Sequence, residues 1–160
     1  MVKKVEYQVL KSLENVEIRK YPKLLLATVN GLNDNDAFNL LFKYITGSNR
    51  TNQKLEMTAP VISSSKVMSF VMPEKYNIND IPQPTNPRVT IEERQSSKIA
   101  VIRVKGNAST KDVTRFQNEL LNILSKNNIK TQGKPFLMRY NSPFMPGFFR
   151  RNEIGINVLD

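Results

Sequence analysis

Cysteine, histidine and tryptophan are absent from this 160-residue chain, and glycine occurs only six times. Without cysteine there is no disulfide framework, so Asn49-Arg50-Thr51 and Asn107-Ala108-Ser109, which fit the N-glycosylation pattern, are expected to be chance matches in a cytoplasmic protein. Without histidine or cysteine the commonest general base and covalent nucleophile are missing, and the chain is expected not to be an enzyme. Ser63-Ser64-Ser65-Lys66 meets the S-x-x-K spelling but falls in an expected hairpin turn, with no Lys-Thr-Gly partner. Glu92 and Glu93 are neighbours on an expected strand and point to opposite faces, so they cannot work as an acid–base pair. The scattered glycines form no phosphate-cradling loop.

Long apolar runs are also lacking. None approaches membrane-spanning length, and the opening MVKKVEYQVLKSLENVEIRKY alternates polar and apolar residues without the apolar stretch of a secretory signal. The expectation is a chain with no stable membrane insertion and no cleaved leader. Its length suits one ordinary domain, residues 1–160, able to remove roughly 70% of its unfolded surface from water.

Charge is strongly of one sign, with a net +10. Such a balance invites a nucleic-acid reading through counterion release. Its distribution argues otherwise. Residues 1–50 carry eight Lys/Arg and five Asp/Glu, residues 51–105 eight and five, and residues 106–160 eight and four, so the excess is spread along the chain. No recognition-helix pattern, zinc-ligand spacing or aromatic RNA-binding strand motif accompanies it. A solvated basic surface that favours anionic partners is expected, and no nucleic acid.

What is present is an internal likeness. VEIRKYPKLLLATVNG (16–31) and VTIEERQSSKIAVIRVKG (89–106) each begin with a charged alternation, pass a turn and continue as an apolar strand ending at Gly31 or Gly106. A helix is expected after each. Asp34 or Asp36 can cap a segment in which Phe38, Leu41, Phe42 and Ile45 share a face, with Gly47 as its stop. In the second copy Thr110 or Lys111 precedes Val113, Phe116, Leu120, Ile123 and Leu124, and the helix fades at Asn127-Asn128. Two extended runs follow each helix: LEMTAPVISS with KVMSFVMP, then KPFLMRYNSPF with EIGINVL. Both halves therefore read as one β-α-β-β unit, packing two helices on a curved antiparallel sheet in an α+β architecture. YNINDIPQPTNP (76–87), with three prolines from Pro82 to Pro87, is expected to join the two repeats. GSNRTNQK is expected to turn off the first helix at Gly47, and Pro60 to mark a strand end or sheet edge.

EIRKYPKLLLATV, AFNLLFKYITGSN, KLEMTAPV, VMSFVMPEKY and PFLMRYNSPFMPGFFRRNEIGI, in this order, make the chain resemble the SOUL haem-binding protein family over nearly its whole length. The resemblance implies a distorted antiparallel β-barrel with two helices, built from two β-α-β-β pseudo-repeats. It also implies non-covalent binding of haem or a related tetrapyrrole without catalysis, and a fold akin to small-molecule effector-binding domains of bacterial regulators.

Site residues follow from the same resemblance. The family's pocket is formed by the first helix and by the loop before the final strand, with basic residues near the propionates. Its two apolar helix positions fall on Phe38 and Phe42, and its lysine on Lys43. The late loop SPFMPGFF (142–149) is expected to lie over the ligand with Phe144 and Met145 facing it. Two basic positions of the family are missing, one falling on Asn35 and the other near Met145-Pro146. Arg50 and Lys54 are expected to be solvated. Haem iron would have only methionine or tyrosine to draw on, Met145, Met57 or Tyr44. Haem held in this way would be weakly bound and exchangeable. Arg151, Asn152 and Glu153 are expected to tie the last strand to a neighbour. The sequence thus points to a monomeric carrier or buffer of haem or another tetrapyrrole; the alternative is an effector-sensing or interaction domain for a different apolar ligand, or none.

Overall fold

The computed structural model describes residues 3–105, 108–140 and 151–160. In chain order the elements are β1 (Lys3–Lys4), β2 (Gln8–Leu13), β3 (Val16–Tyr21), β4 (Leu24–Asn30), α1 (Asp34–Ile45), β5 (Thr58–Ser64), β6 (Val67–Val71), β7 (Val89–Arg94), β8 (Ser97–Val104), α2 (Thr110–Lys126), β9 (Thr131–Arg139) and β10 (Asn152–Val158). This is an α+β protein whose strands pair antiparallel, except that β1 runs parallel to β5. The chain divides into two compact units. The first comprises the N-terminal residues to Val5 with Lys23–Gln95, the second Glu6–Pro22 with Ser96–Asp160.

In the first unit the strands run in the order β5-β6-β4-β7. Alternation along β4 sends Ala27 and Val29 toward α1, where they join Leu41, Tyr44 and Ile45 in a buried core with Phe70 and Val89. Burying a side chain such as Leu41 contributes roughly 1.5–3 kcal/mol. The opposite face of β4 carries Thr28, whose hydroxyl lies 2.7 Å from that of Ser69 and donates to Glu92 Oε1 at 3.0 Å. The helix starts at Asn33, whose side chain accepts from the Asp36 N–H at 2.9 Å and so satisfies one of the free first-turn donors. Between β5 and β6, Ser65 and Lys66 both take positive φ, the backbone of a tight two-residue hairpin.

In the second unit the order is β2-β3-β8-β10-β9. Val16, Ile18, Ala100, Ile102, Ile154 and Ile156 from three of these strands bury against Phe116, Leu120, Ile123 and Leu124 of α2. Ser109 caps that helix through the Asp112 N–H, and Asn127 closes it by donating to the Ile123 carbonyl at 2.7 Å. On the other face Gly155 leaves room for the Phe136 ring; a Cβ there would lie 2.7 Å from it. Among the described residues no helix is long and apolar enough to cross a membrane.

Several expectations change. Among the described residues the strands do not close into a barrel: β2 pairs with β3 alone and β7 with β4 alone, so each row ends in an unpaired edge. β2 is exposed along most of its length and slips register between Val9 and Lys11, as an edge strand does. The Pro-rich stretch 76–87 connects β6 to β7 and lies inside the first compact unit. Its Ile81 is in the core and its Pro82 carbonyl accepts from the Tyr44 hydroxyl at 2.5 Å. The chain changes unit instead at Pro22–Lys23 and Gln95–Ser96, so each charged alternation and the apolar strand after it belong to different units. Pro60 sits within β5, where pairing with β6 slips between Thr58 and Val61 while β1 occupies the other side. A bulge accommodates the missing N–H as an edge would. The helix caps are Asn33 and Ser109, one residue before the acidic and hydroxyl residues named from sequence.

Candidate ligand-binding site

Helix α1 displays its candidate residues on two surfaces. Phe38 and Phe42, one turn apart, stack with ring centroids at 6.1 Å and planes inclined by 12°. Phe38 also meets Phe70 of β6 edge to face at 5.2 Å, so the pair is anchored to the core while each ring stays half-buried. Lys43 follows Phe42 directly but stands about 100° further round the helix. There it lines a cleft of about 420 Å³ with Leu40, Tyr44 and Ser48 on one side and Pro84, Thr85, Asn86, Pro87 and Val89 on the other. Neither phenylalanine lines this cleft. The structure therefore brings Phe38 and Phe42 together and puts the exposed Lys43 on the flank between their surface and the cleft. Phe144 and Met145 lie outside the described residues.

The remaining iron-ligand candidates can be located. Tyr44 is buried, its hydroxyl is committed to Pro82, and burial, with Tyr76 adding, pushes its phenol up to about 12. At neutral pH it is a donor in a core hydrogen bond. Met57 packs against the first unit's core. No group of three or more acidic side chains able to hold a metal ion occurs among the described residues.

The second unit holds a polar cluster that sequence reasoning only partly anticipated. Arg19 donates to both oxygens of Glu153 at 2.8 Å, to Glu17 at 2.9 Å and to the Tyr21 hydroxyl at 3.0 Å. Arg151 donates to Glu153 Oε2 at 3.0 Å and to the Tyr7 hydroxyl at 2.9 Å. Its guanidinium also covers the Tyr140 ring at 4.3 Å. Burial, the largest single influence, pushes the Glu153 carboxyl up, but Arg19 and Arg151 together outweigh it and hold the group below the usual carboxylate range. Glu153 and Arg151 thus tie β10 to its surroundings, as expected. Arg19 was the missed partner; its signal was a cation at the same alternation parity as Tyr21 in VEIRKY. The far wall of the cleft was missed too, because prolines read as punctuation also build rigid apolar walls.

A family model described as "SOUL heme-binding protein" matches residues 2–157. Among curated proteins no sequence matches the chain. Solved structures are similar too, two of them as follows. The C-terminal domain of EcmrR has a TM-score of 0.62 at 11% identity, covering 96% of this chain and 98% of that one. A hydrolase from Listeria innocua has a TM-score of 0.61, also at 11% identity, covering 99% and 93%. At such identity both likenesses show the fold alone, and the second lends this chain no catalytic role.

Proposed function

Since the chain belongs to the SOUL haem-binding family, we propose that it binds haem or a related tetrapyrrole non-covalently and acts as a carrier or buffer rather than as a catalyst. The family match carries this proposal, and because it runs through both compact units, the span 1–160 is taken as one such domain.

The residues of α1 suit two of a porphyrin's three demands. The stacked, half-buried rings of Phe38 and Phe42 offer an aromatic face to the macrocycle, and Lys43 on the flank offers an ammonium to a propionate. The iron is the unmet demand: there is no imidazole or thiolate, and the Tyr44 phenol is protonated and engaged. Bound haem would supply its own redox-active iron, while the chain's part is to shield the macrocycle and neutralise its carboxylates. Phe144 and Met145 are assigned to the ligand side on the family resemblance. Weak, exchangeable retention follows from the lack of a strong axial donor.

Titration of the purified protein with haemin, followed in the Soret band, tests the proposal. A saturable shift is expected. Absence of a shift, with saturable binding of another apolar compound, would favour an effector-sensing or interaction domain instead.

A further inference from the structure

The cleft beside Lys43 is walled by hydrogen-bonded segments. The segment after α1 and the 82–87 stretch are fastened by the Arg50 N–H to the Gln83 carbonyl at 2.9 Å and by the Thr85 hydroxyl to the Ser48 carbonyl at 3.2 Å. Asn49 and Pro84 form a further β-bridge, and the Tyr44 hydroxyl holds Pro82 from below. Asn49 itself is buried and fully used: its side chain donates to the Tyr44 and Gln53 carbonyls and accepts from the Gln53 N–H. Such cross-links fix the opening before any ligand arrives, which reduces the ordering cost of binding.

The lining has a definite chemistry. It is mixed: Leu40, Pro84, Pro87 and Val89 give it an apolar part, and the prolines add no N–H donors. Ser48, Thr85 and Asn86 supply polar groups. Lys43 is the sole charged lining residue, and no carboxylate is among the rest. The volume of about 420 Å³ falls in the range of small-molecule pockets, roughly 300–1,000 Å³.

We propose that this cleft is a second ligand site, separate from the Phe38–Phe42 surface, which takes a small organic anion with an apolar body against Leu40, Pro84, Pro87 and Val89 and its acid group at Lys43. The charge complementarity selects the anion: a cationic or neutral compound of the same shape would leave Lys43 without a counter-charge at the mouth. Its walls exclude both phenylalanines, so it shares with the porphyrin proposal only Lys43, which can pair with one ligand's acid group at a time.

Anilinonaphthalene sulfonate, an apolar body with one sulfonate, is the probe. Its fluorescence is expected to rise saturably with one molecule per chain, and added salt should weaken binding by screening. Lys43→Met should weaken it by about fivefold, the scale of a partly exposed ion pair. Thr85→Trp, at an exposed position on the rim, should abolish it while circular dichroism stays unchanged. No saturable rise in the wild type, or full binding to Thr85→Trp, would overturn the proposal. Haemin titration of Thr85→Trp gives the independent arm: unchanged Soret binding is expected there. Loss of haemin binding in that variant would show a single shared site and sink the idea of a second one; haemin failing against every form would reject only the porphyrin proposal.

Discussion

Arg19 of β3 and Glu153 of β10 form a bidentate pair although their strands are not neighbours, each being paired instead with β8. Both side chains are almost wholly buried, at 5% and 2% exposure. The pair therefore fastens the strands on either side of β8 through side chains, in addition to the backbone ladder. Because Arg151 shares the same carboxylate, two guanidinium groups converge on one anion.

Breaking this pair should be costly. Glu153→Gln leaves Arg151 without its carboxylate and the buried Arg19 with only the more exposed Glu17, and a loss of about 3 kcal/mol in urea denaturation is expected. Arg19→Met should cost less, because Arg151 still neutralises Glu153. Combining Arg19→Met with Glu153→Leu should be milder than the sum of the single losses, since apolar side chains remove both charges at once. Strict additivity would show that the two residues act independently.

The same carboxylate sets an acid limit. Its folded-state pKa is depressed, so its contribution is full above the unfolded value of about 4.3 and disappears as pH falls through the lower folded value. Stability measured from neutral to acid pH should fall more steeply in the wild type than in Glu153→Gln, and the two curves should converge at the acid end. Parallel curves would remove Glu153 from the acid response.

Gly155 is required by its neighbours rather than by its backbone angles. A Cβ there would approach the Phe136 ring to 2.7 and 2.9 Å and Ile99 Cγ2 to 3.0 Å. Gly155→Ala should destabilise by about 1–3 kcal/mol through overpacking. Shrinking the obstacle with Phe136→Leu in the same chain should recover part of the loss, as thermal unfolding would reveal. No recovery would mean that the strain lies elsewhere.

The sequence made the elements legible because their burial is periodic: Leu41 and Ile45 in α1, and Phe116, Leu120, Ile123 and Leu124 in α2, all lie on the faces their spacing predicts. Strand partnership was less legible. The alternation of Val16–Tyr21 names no partner, and the strand pairs with Ser97–Val104 across a long stretch of chain, since local alternation is compatible with several partners and only the long-range ladder selects one. The site was legible as a set of helix positions but not as a surface. Consecutive numbers such as Phe42 and Lys43 look like one patch in a motif, whereas the helix turns them apart. Nor could proline spacing tell a linker from a wall, because that depends on Tyr44 reaching Pro82 from an element 38 residues away.

Tyr44 links the core to that wall and titrates accordingly. Tyr44→Phe leaves the Pro82 carbonyl without its donor and should cost about 1–3 kcal/mol. Because the folded pKa of about 12 lies above the unfolded value of about 10, the hydroxyl's contribution is complete below the latter and is lost as pH rises through the former. The difference in stability between wild type and Tyr44→Phe should therefore narrow across that alkaline window. A constant difference would show that the phenol does not titrate with unfolding.

Porphyrin selectivity tests the division of labour on α1. If Phe38 and Phe42 carry the macrocycle and no protein donor reaches the iron, haemin and metal-free protoporphyrin should bind within about threefold of each other. Phe42→Ala should weaken both alike, since it removes aromatic contact common to the two ligands. Fluorescence quenching and Soret titration, run on the same preparations, provide the comparison. A preference for haemin above about tenfold would instead demand an axial donor worth at least 1.4 kcal/mol. With no histidine or cysteine in the chain and Tyr44 committed to Pro82, Met145 and Met57 are the candidates that remain of those the sequence offers, and Met145→Leu or Met57→Leu should then erase the preference while leaving protoporphyrin binding intact.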